Sequence, residues 1–118
     1  MSELLVSLHR WWASALTKFR PLRAAHVDDP PEVLDRRYVY LVGDRPTPWS
    51  ASMLCPCGCA AVIQLSLVAN DKPSWRANVG AKGAVTLTPS VWRVKGCKSH
   101  FFVRRGRIVW AREARRPV

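Results

Sequence analysis

Two short cysteine clusters, Cys55-Pro56-Cys57-Gly58-Cys59 and Gly96-Cys97-Lys98-Ser99-His100, constrain this chain more than any other feature. Together they hold all four cysteines and one of the three histidines, and each adjoins an apolar, strand-like run where a tight turn is expected. Sulfur-rich turns brought together by strands are the usual way for a small domain to build a tetrahedral zinc site, because four soft donors must converge on one point. Cysteines two residues apart suit a disulfide framework badly. With no secretory segment visible, the cysteines read as metal ligands in a reducing, cytoplasmic setting.

The rest of the chain is read around those turns. At 118 residues it is one domain with a modest core. Hydrophobic residues at 48% and charged residues at 23% are ordinary for a globular protein, and no apolar run is long enough to span a bilayer. The 19 Lys and Arg against 8 Asp and Glu give a net charge of +11. That balance favours an anionic partner (nucleic acid, a membrane surface or an acidic protein) without choosing among them.

Leu4, Leu5, Leu8, Trp11, Trp12, Ala15, Leu16 and Phe19 recur at helical spacing, so residues 1–20 are expected as an amphipathic helix stopped by Pro21. His9, Arg10 and Lys18 give it a basic side that suits a membrane or an acidic partner, but packing on the domain or an oligomer contact is the favoured expectation. Residues 21–36, polar and carrying Asp28-Asp29 and Pro30-Pro31, read as a linker in which His26 is exposed. Residues 37–111 read as a small antiparallel β domain of hairpins stapled by one zinc site, and 112–118 as a basic tail. Within the domain, a strand at 38–42 is followed by a hairpin of 49–54 and 61–67 with the cysteine turn at its tip. A second hairpin pairs 75–79 with 84–88, Pro89-Ser90-Val91-Trp92 interrupts it, and a third pairs 100–103 with 107–110 across Arg105-Gly106. The fold class is mainly β.

Spacing allows two ligand sets. Cys55, Cys57, Cys97 and His100 would form a CxC…CxxH site with two ligands per turn. Alternatively, all four cysteines bind, Gly58 letting Cys59 turn inward, and His100 is left over. Spacing favours the first, since three ligands within five residues are cramped. A Rieske-type cluster is excluded because the first turn contains no histidine. If His100 is not a ligand, it is the obvious general base, with Ser90 after Pro89 as the nucleophile presented at a turn. Ser99 is a second candidate, but as a strand neighbour of His100 it should face the other way. Asp44 and Asp71 are the loop carboxylates available to orient the histidine.

Cys55-Pro56-Cys57-Gly58-Cys59, Pro73-Ser74-Trp75, Val85-Thr86-Leu87-Thr88-Pro89-Ser90-Val91-Trp92 and Gly96-Cys97-Lys98-Ser99-His100-Phe101-Phe102 resemble a bacterial family of small zinc-binding proteins, long described only as a domain of unknown function. Its members are encoded beside ubiquitin-like proteins and their E1- and E2-like enzymes. The resemblance runs from Tyr38 to Trp110 and omits the helix and the tail. It implies a serine peptidase that matures the ubiquitin-like protein or removes it from targets, with Ser90 as nucleophile and His100 as base. It further implies that Cys55, Cys57, Cys59 and Cys97 hold a structural zinc, and that the ubiquitin-like protein and its E1- and E2-like enzymes are the partners. The Val91 amide would then be a candidate oxyanion donor, and Trp75 and Trp92 candidate walls of a channel for a Gly-rich tail. The competing reading is a non-catalytic zinc module for nucleic acid or an acidic protein, resting on the charge and on the run of arginines from Arg104 to Arg116.

Overall fold

The computed structural model describes residues 3–93 and 95–111, so the expected basic tail at 112–118 lies outside the described residues. A helix α1 (Glu3–Phe19) precedes eight strands: β1 (Arg23–Val27), β2 (Tyr38–Val42), β3 (Ser50–Leu54), β4 (Val62–Ser66), β5 (Arg76–Val79), β6 (Val85–Trp92), β7 (His100–Arg104) and β8 (Arg107–Trp110). They form two four-stranded sheets, each in sequential order, β1-β2-β3-β4 and β5-β6-β7-β8. The chain is mainly β, and the three expected hairpins are present. Among the described residues no helix is long and apolar enough to cross a membrane.

The two sheets share one core. Val39, Leu41, Ala51, Met53, Ile63 and Leu65 come from the first, and Val85, Leu87, Val91, Phe101, Val103 and Ile108 from the second. Alternation dictates this arrangement: in β4, Ile63 and Leu65 are buried while Val62 and Gln64 are exposed. In β7, Phe101 and Val103 point inward while His100, Phe102 and Arg104 lie on the other face. Fully burying a side chain such as Phe101 is worth about 1.5–3 kcal/mol. The same parity that builds the core therefore sends His100 outward.

Two stretches differ from the sequence reading. Residues 23–27, expected as linker, form β1, which pairs in parallel with β2 from Arg23↔Tyr38 to Val27↔Val42. Arg-Ala-Ala-His-Val has too little apolar contrast to signal a strand, yet Leu22 just before it is buried and Ala24 packs on the core. His26 is exposed as expected, but on a strand. The second is at Pro89-Ser90-Val91-Trp92: pairing with β5 stops at Thr88 as expected, but β6 itself runs on to Trp92 and pairs with β7. From Leu87 to Val91 it takes four steps opposite the two from Val103 to Phe101, so the extra residues bulge out of the ladder.

The helix docks with an unexpected face. The Thr17 hydroxyl accepts the Ile108 N–H at 3.0 Å, the Ser14 hydroxyl donates to the Ile108 carbonyl at 3.0 Å, and the Arg10 carbonyl accepts the Trp110 indole N–H at 2.8 Å. β8 is an edge strand, and the Ser14 and Thr17 hydroxyls cap its open backbone edge at Ile108. The helix packs on the domain, one of the two favoured expectations, but through its polar side, and Leu8, Trp11, Trp12, Leu16 and Phe19 are exposed. Polar residues 10, 14 and 17 share one helix face, which leaves 8, 12, 15 and 19 on the opposite one.

Candidate active site and metal centre

The bulge in β6 decides where Ser90 goes. Pulled out of the ladder, its hydroxyl lies 2.8 Å from Nε2 of His100, the first residue of β7. The expectation of a serine at a strand-end turn is corrected, because Ser90 lies within β6 and the bulge presents it. A hydroxyl and an imidazole at this distance have the geometry for proton transfer. The Trp75 indole N–H donates to the Ser90 carbonyl at 3.2 Å and anchors the bulge from β5's leading end. Trp92 lies flat against His100, with centroids 4.8 Å apart and planes 9° from parallel, and Phe102 flanks the imidazole at 6.1 Å. The two expected channel tryptophans thus differ: Trp75 is half-buried, tied to the Ser90 backbone and packed on the core, whereas Trp92 is 56% exposed.

The Val91 amide is not placed to act as an oxyanion donor. Arg93 N–H donates to the Ser99 carbonyl at 2.8 Å. Antiparallel alternation then gives the Val91–Phe101 pair, two residues along, the same hydrogen-bonded position and turns the Val91 amide into the ladder. Of the two loop carboxylates, Asp71 accepts the Ser66 hydroxyl in the β4–β5 connection. Asp44 lies in the β2–β3 connection of the other sheet.

The second constellation lies behind the first. Cys55, Cys57 and Cys59 sit at the tip of the β3–β4 hairpin, where Gly58 at φ +95° turns the chain, and Cys97 comes from the β6–β7 connection. All four sulfurs fall within 4.8 Å of one another, with Cys55 Sγ 3.5 Å from Cys57 Sγ and 3.6 Å from Cys97 Sγ. A tetrahedron of sulfurs at zinc–thiolate bond lengths has edges of about 3.8 Å, whereas a disulfide would bring two sulfurs to about 2.05 Å. All four cysteines are free thiols, and the cluster fits one metal ion. His100 is not in this cluster.

Burial pushes the Cys55 thiol up to about 12 and the Cys57 thiol upward. Burial also raises Cys97, but hydrogen bonds from Ser99, then from Cys55 and Cys57, outweigh it and bring Cys97 down to about 6. Ser99 is fully buried with its hydroxyl 3.1 Å from Cys97 Sγ and 3.8 Å from Cys55 Sγ, facing away from His100 as strand parity requires. Arg93 donates to Cys97 Sγ at 3.2 Å and to Cys59 Sγ at 3.5 Å. Sequence reasoning missed Arg93, and its one signal was an arginine four residues before Cys97, inside a run of cations.

A family model described as bacterial ubiquitination-like system serine protease (BubE) matches residues 26–111. The match spans both constellations and reaches back into β1. No curated protein and no solved structure matches the chain.

Proposed function

The chain belongs to the bacterial ubiquitination-like system serine protease family, and we propose that it is a metal-stapled serine peptidase that processes or deconjugates a bacterial ubiquitin-like protein at its C-terminus. The observation that carries this reading is the 2.8 Å contact between Ser90 Oγ and His100 Nε2. His100 Nε2 takes the Ser90 proton as Oγ attacks the carbonyl carbon of the last residue in the tail of the ubiquitin-like protein. The imidazolium then gives that proton to the departing amine, leaving an acyl-enzyme, and a water activated by the same nitrogen releases the acid. Trp75 holds the Ser90 backbone and Trp92 braces the imidazole, so the pair is organised before substrate arrives. The exposed Trp92 face offers a flat wall along which a Gly-rich tail passes.

Cys55, Cys57, Cys59 and Cys97 would hold zinc, which closes the coordination sphere and supplies no open position for chemistry. Its contribution is to pin the β3–β4 tip to the connection that delivers His100. The setting is the bacterial cytoplasm, with the ubiquitin-like protein and its E1- and E2-like enzymes as partners.

The test is cleavage of a ubiquitin-like precursor fusion by wild type, Ser90→Ala and His100→Ala, with zinc content and circular dichroism measured on each. Both substitutions are expected to reduce kcat/KM by at least about a thousandfold while zinc and fold are retained. Full activity in Ser90→Ala would overturn the peptidase reading in favour of a non-catalytic module. Loss of zinc in His100→Ala would make His100 a ligand instead of the base.

A further inference from the structure

An apolar helix face pointing away from its own domain needs an occupant. Leu8, Trp11, Trp12, Leu16 and Phe19 are all exposed, Trp11 at 61% and Phe19 at 83%, because α1 spends its polar face on the β8 edge. Contiguous apolar surface of this kind on a small domain marks an interaction site. Its surroundings are cationic. Lys18 lies in the last helical turn, and beyond Phe19 the helix end opens onto a hollow of about 620 Å³ lined by Arg20, Arg23 and Lys82, together with Arg37, which is paired to Asp35. Large aromatic and aliphatic side chains on one helix side, next to a basic hollow, match the two layers of an anionic bilayer surface: acyl chains below, phosphate headgroups above. A second copy of the chain matches less well, because each brings a charge of +11 to the contact.

We propose that α1 lies in the plane of an anionic phospholipid membrane, inserting Leu8, Trp12 and Phe19 at the headgroup boundary. Arg20, Arg23 and Lys82 take lipid phosphates, and the enzyme is thereby held at the membrane surface without spanning it. Ser90 and His100 sit on β6 and β7, whereas the helix docks on the edge strand β8, so membrane attachment through the opposite helix face does not engage them.

The experiment is co-sedimentation of the full chain with vesicles of phosphatidylglycerol and phosphatidylethanolamine, and with vesicles of phosphatidylcholine alone. Tryptophan emission and peptidase activity are read in parallel. Wild type is expected to bind the anionic vesicles at least tenfold more tightly than the neutral ones, with a blue shift from Trp11 and Trp12. Trp12→Asp, a change at an exposed position, should lose at least tenfold of that binding while activity in solution is unchanged. Lys82→Glu should weaken binding to anionic vesicles and make that binding less steeply salt-dependent than in wild type. Absence of vesicle binding at low salt overturns the proposal, as does anionic binding that Trp12→Asp leaves intact, which would be charge alone. A dimer in sedimentation equilibrium that Trp12→Asp dissociates, with no vesicle binding, would assign the face to a second copy.

Discussion

Trp92 and His100 are cross-strand partners in the β6–β7 ladder, and their rings stack with centroids 4.8 Å apart and planes 9° from parallel. The neighbouring Arg93–Ser99 pair is hydrogen-bonded, so Trp92–His100 occupies a non-hydrogen-bonded position, where side chains approach most closely. The stack restricts the imidazole to the plane in which Nε2 meets Ser90 Oγ at 2.8 Å. Trp92→Ala is expected to lower kcat by about tenfold or more with a smaller change in KM, since misplacing a catalytic group by a fraction of its reach is that costly. Trp92→Phe keeps a flat ring and should recover most of the loss. Steady-state kinetics on the two variants distinguish positioning from substrate binding, which would move KM instead.

The docked helix makes a separate prediction. Thr17 is buried, accepts the Ile108 N–H and donates to the Ser14 carbonyl. Thr17→Val conserves shape but strands the Ile108 amide, which costs about 1–3 kcal/mol. Denaturant unfolding should report that loss. The variant should also self-associate more readily, because β8 regains an open edge.

Gly106 is pressed closely by neighbouring backbone. It turns at φ +79° between β7 and β8, and a Cβ there would lie 2.6 Å from Pro21 Cβ and 2.7 Å from the Leu22 carbonyl oxygen. Its amide donates to the Val85 carbonyl and its carbonyl accepts the Leu22 N–H, so neither neighbour can retreat without breaking a bond. Gly106→Ala is expected to destabilise by about 2–4 kcal/mol, visible as a lowered Tm of the metal-loaded protein.

These relationships were unequally legible in the sequence. Two turns rich in cysteine, each flanked by alternating strands, are enough to predict a metal site and the three hairpins, but spacing favoured His100 over Cys59 as the fourth ligand, and the sulfurs cluster as four cysteines instead. Period two alone separates Ser99 from His100, and the structure sends one to the sulfurs and the other to Ser90. The 2.8 Å contact itself was not readable from spacing, because it depends on extra residues in β6 that a pattern of alternation registers only as an interruption at Pro89. β1 was missed for a different reason: its pairing is parallel and long-range, and Ala24-Ala25-His26 carries no apolar contrast. The docking of α1 inverted the usual rule. Exposed backbone on β8 bonds with hydroxyls, so the polar face won the contact and the apolar one was left outward.

The metal centre should release protons when it fills, and the number is set by its thiols. Burial holds Cys55 up near about 12 and also raises Cys57, so both are protonated in the metal-free protein at neutral pH and must each give up a proton to become ligands. Cys97 differs: burial works against its charge, but Ser99 and the neighbouring sulfurs bring it down to about 6, so it is already a thiolate above that pH. Protons compete with metal, so affinity falls as pH falls. Above pH 6 the logarithm of Kd for zinc should change by at least about two units per pH unit, from Cys55 and Cys57. Below about 6 the slope should steepen by about one more unit as Cys97 also takes up a proton. Competition titrations with a zinc chelator across this range measure the slope, and calorimetry in buffers of different ionisation enthalpy counts the protons directly. A slope of one or less above pH 6 would mean that the buried thiols are already ionised before metal arrives. Arg93, 3.2 Å from Cys97 Sγ and 3.5 Å from Cys59 Sγ, would then be holding more than one thiolate. The Arg93→Gln variant separates the two cases, since it would restore the steeper slope only in the second.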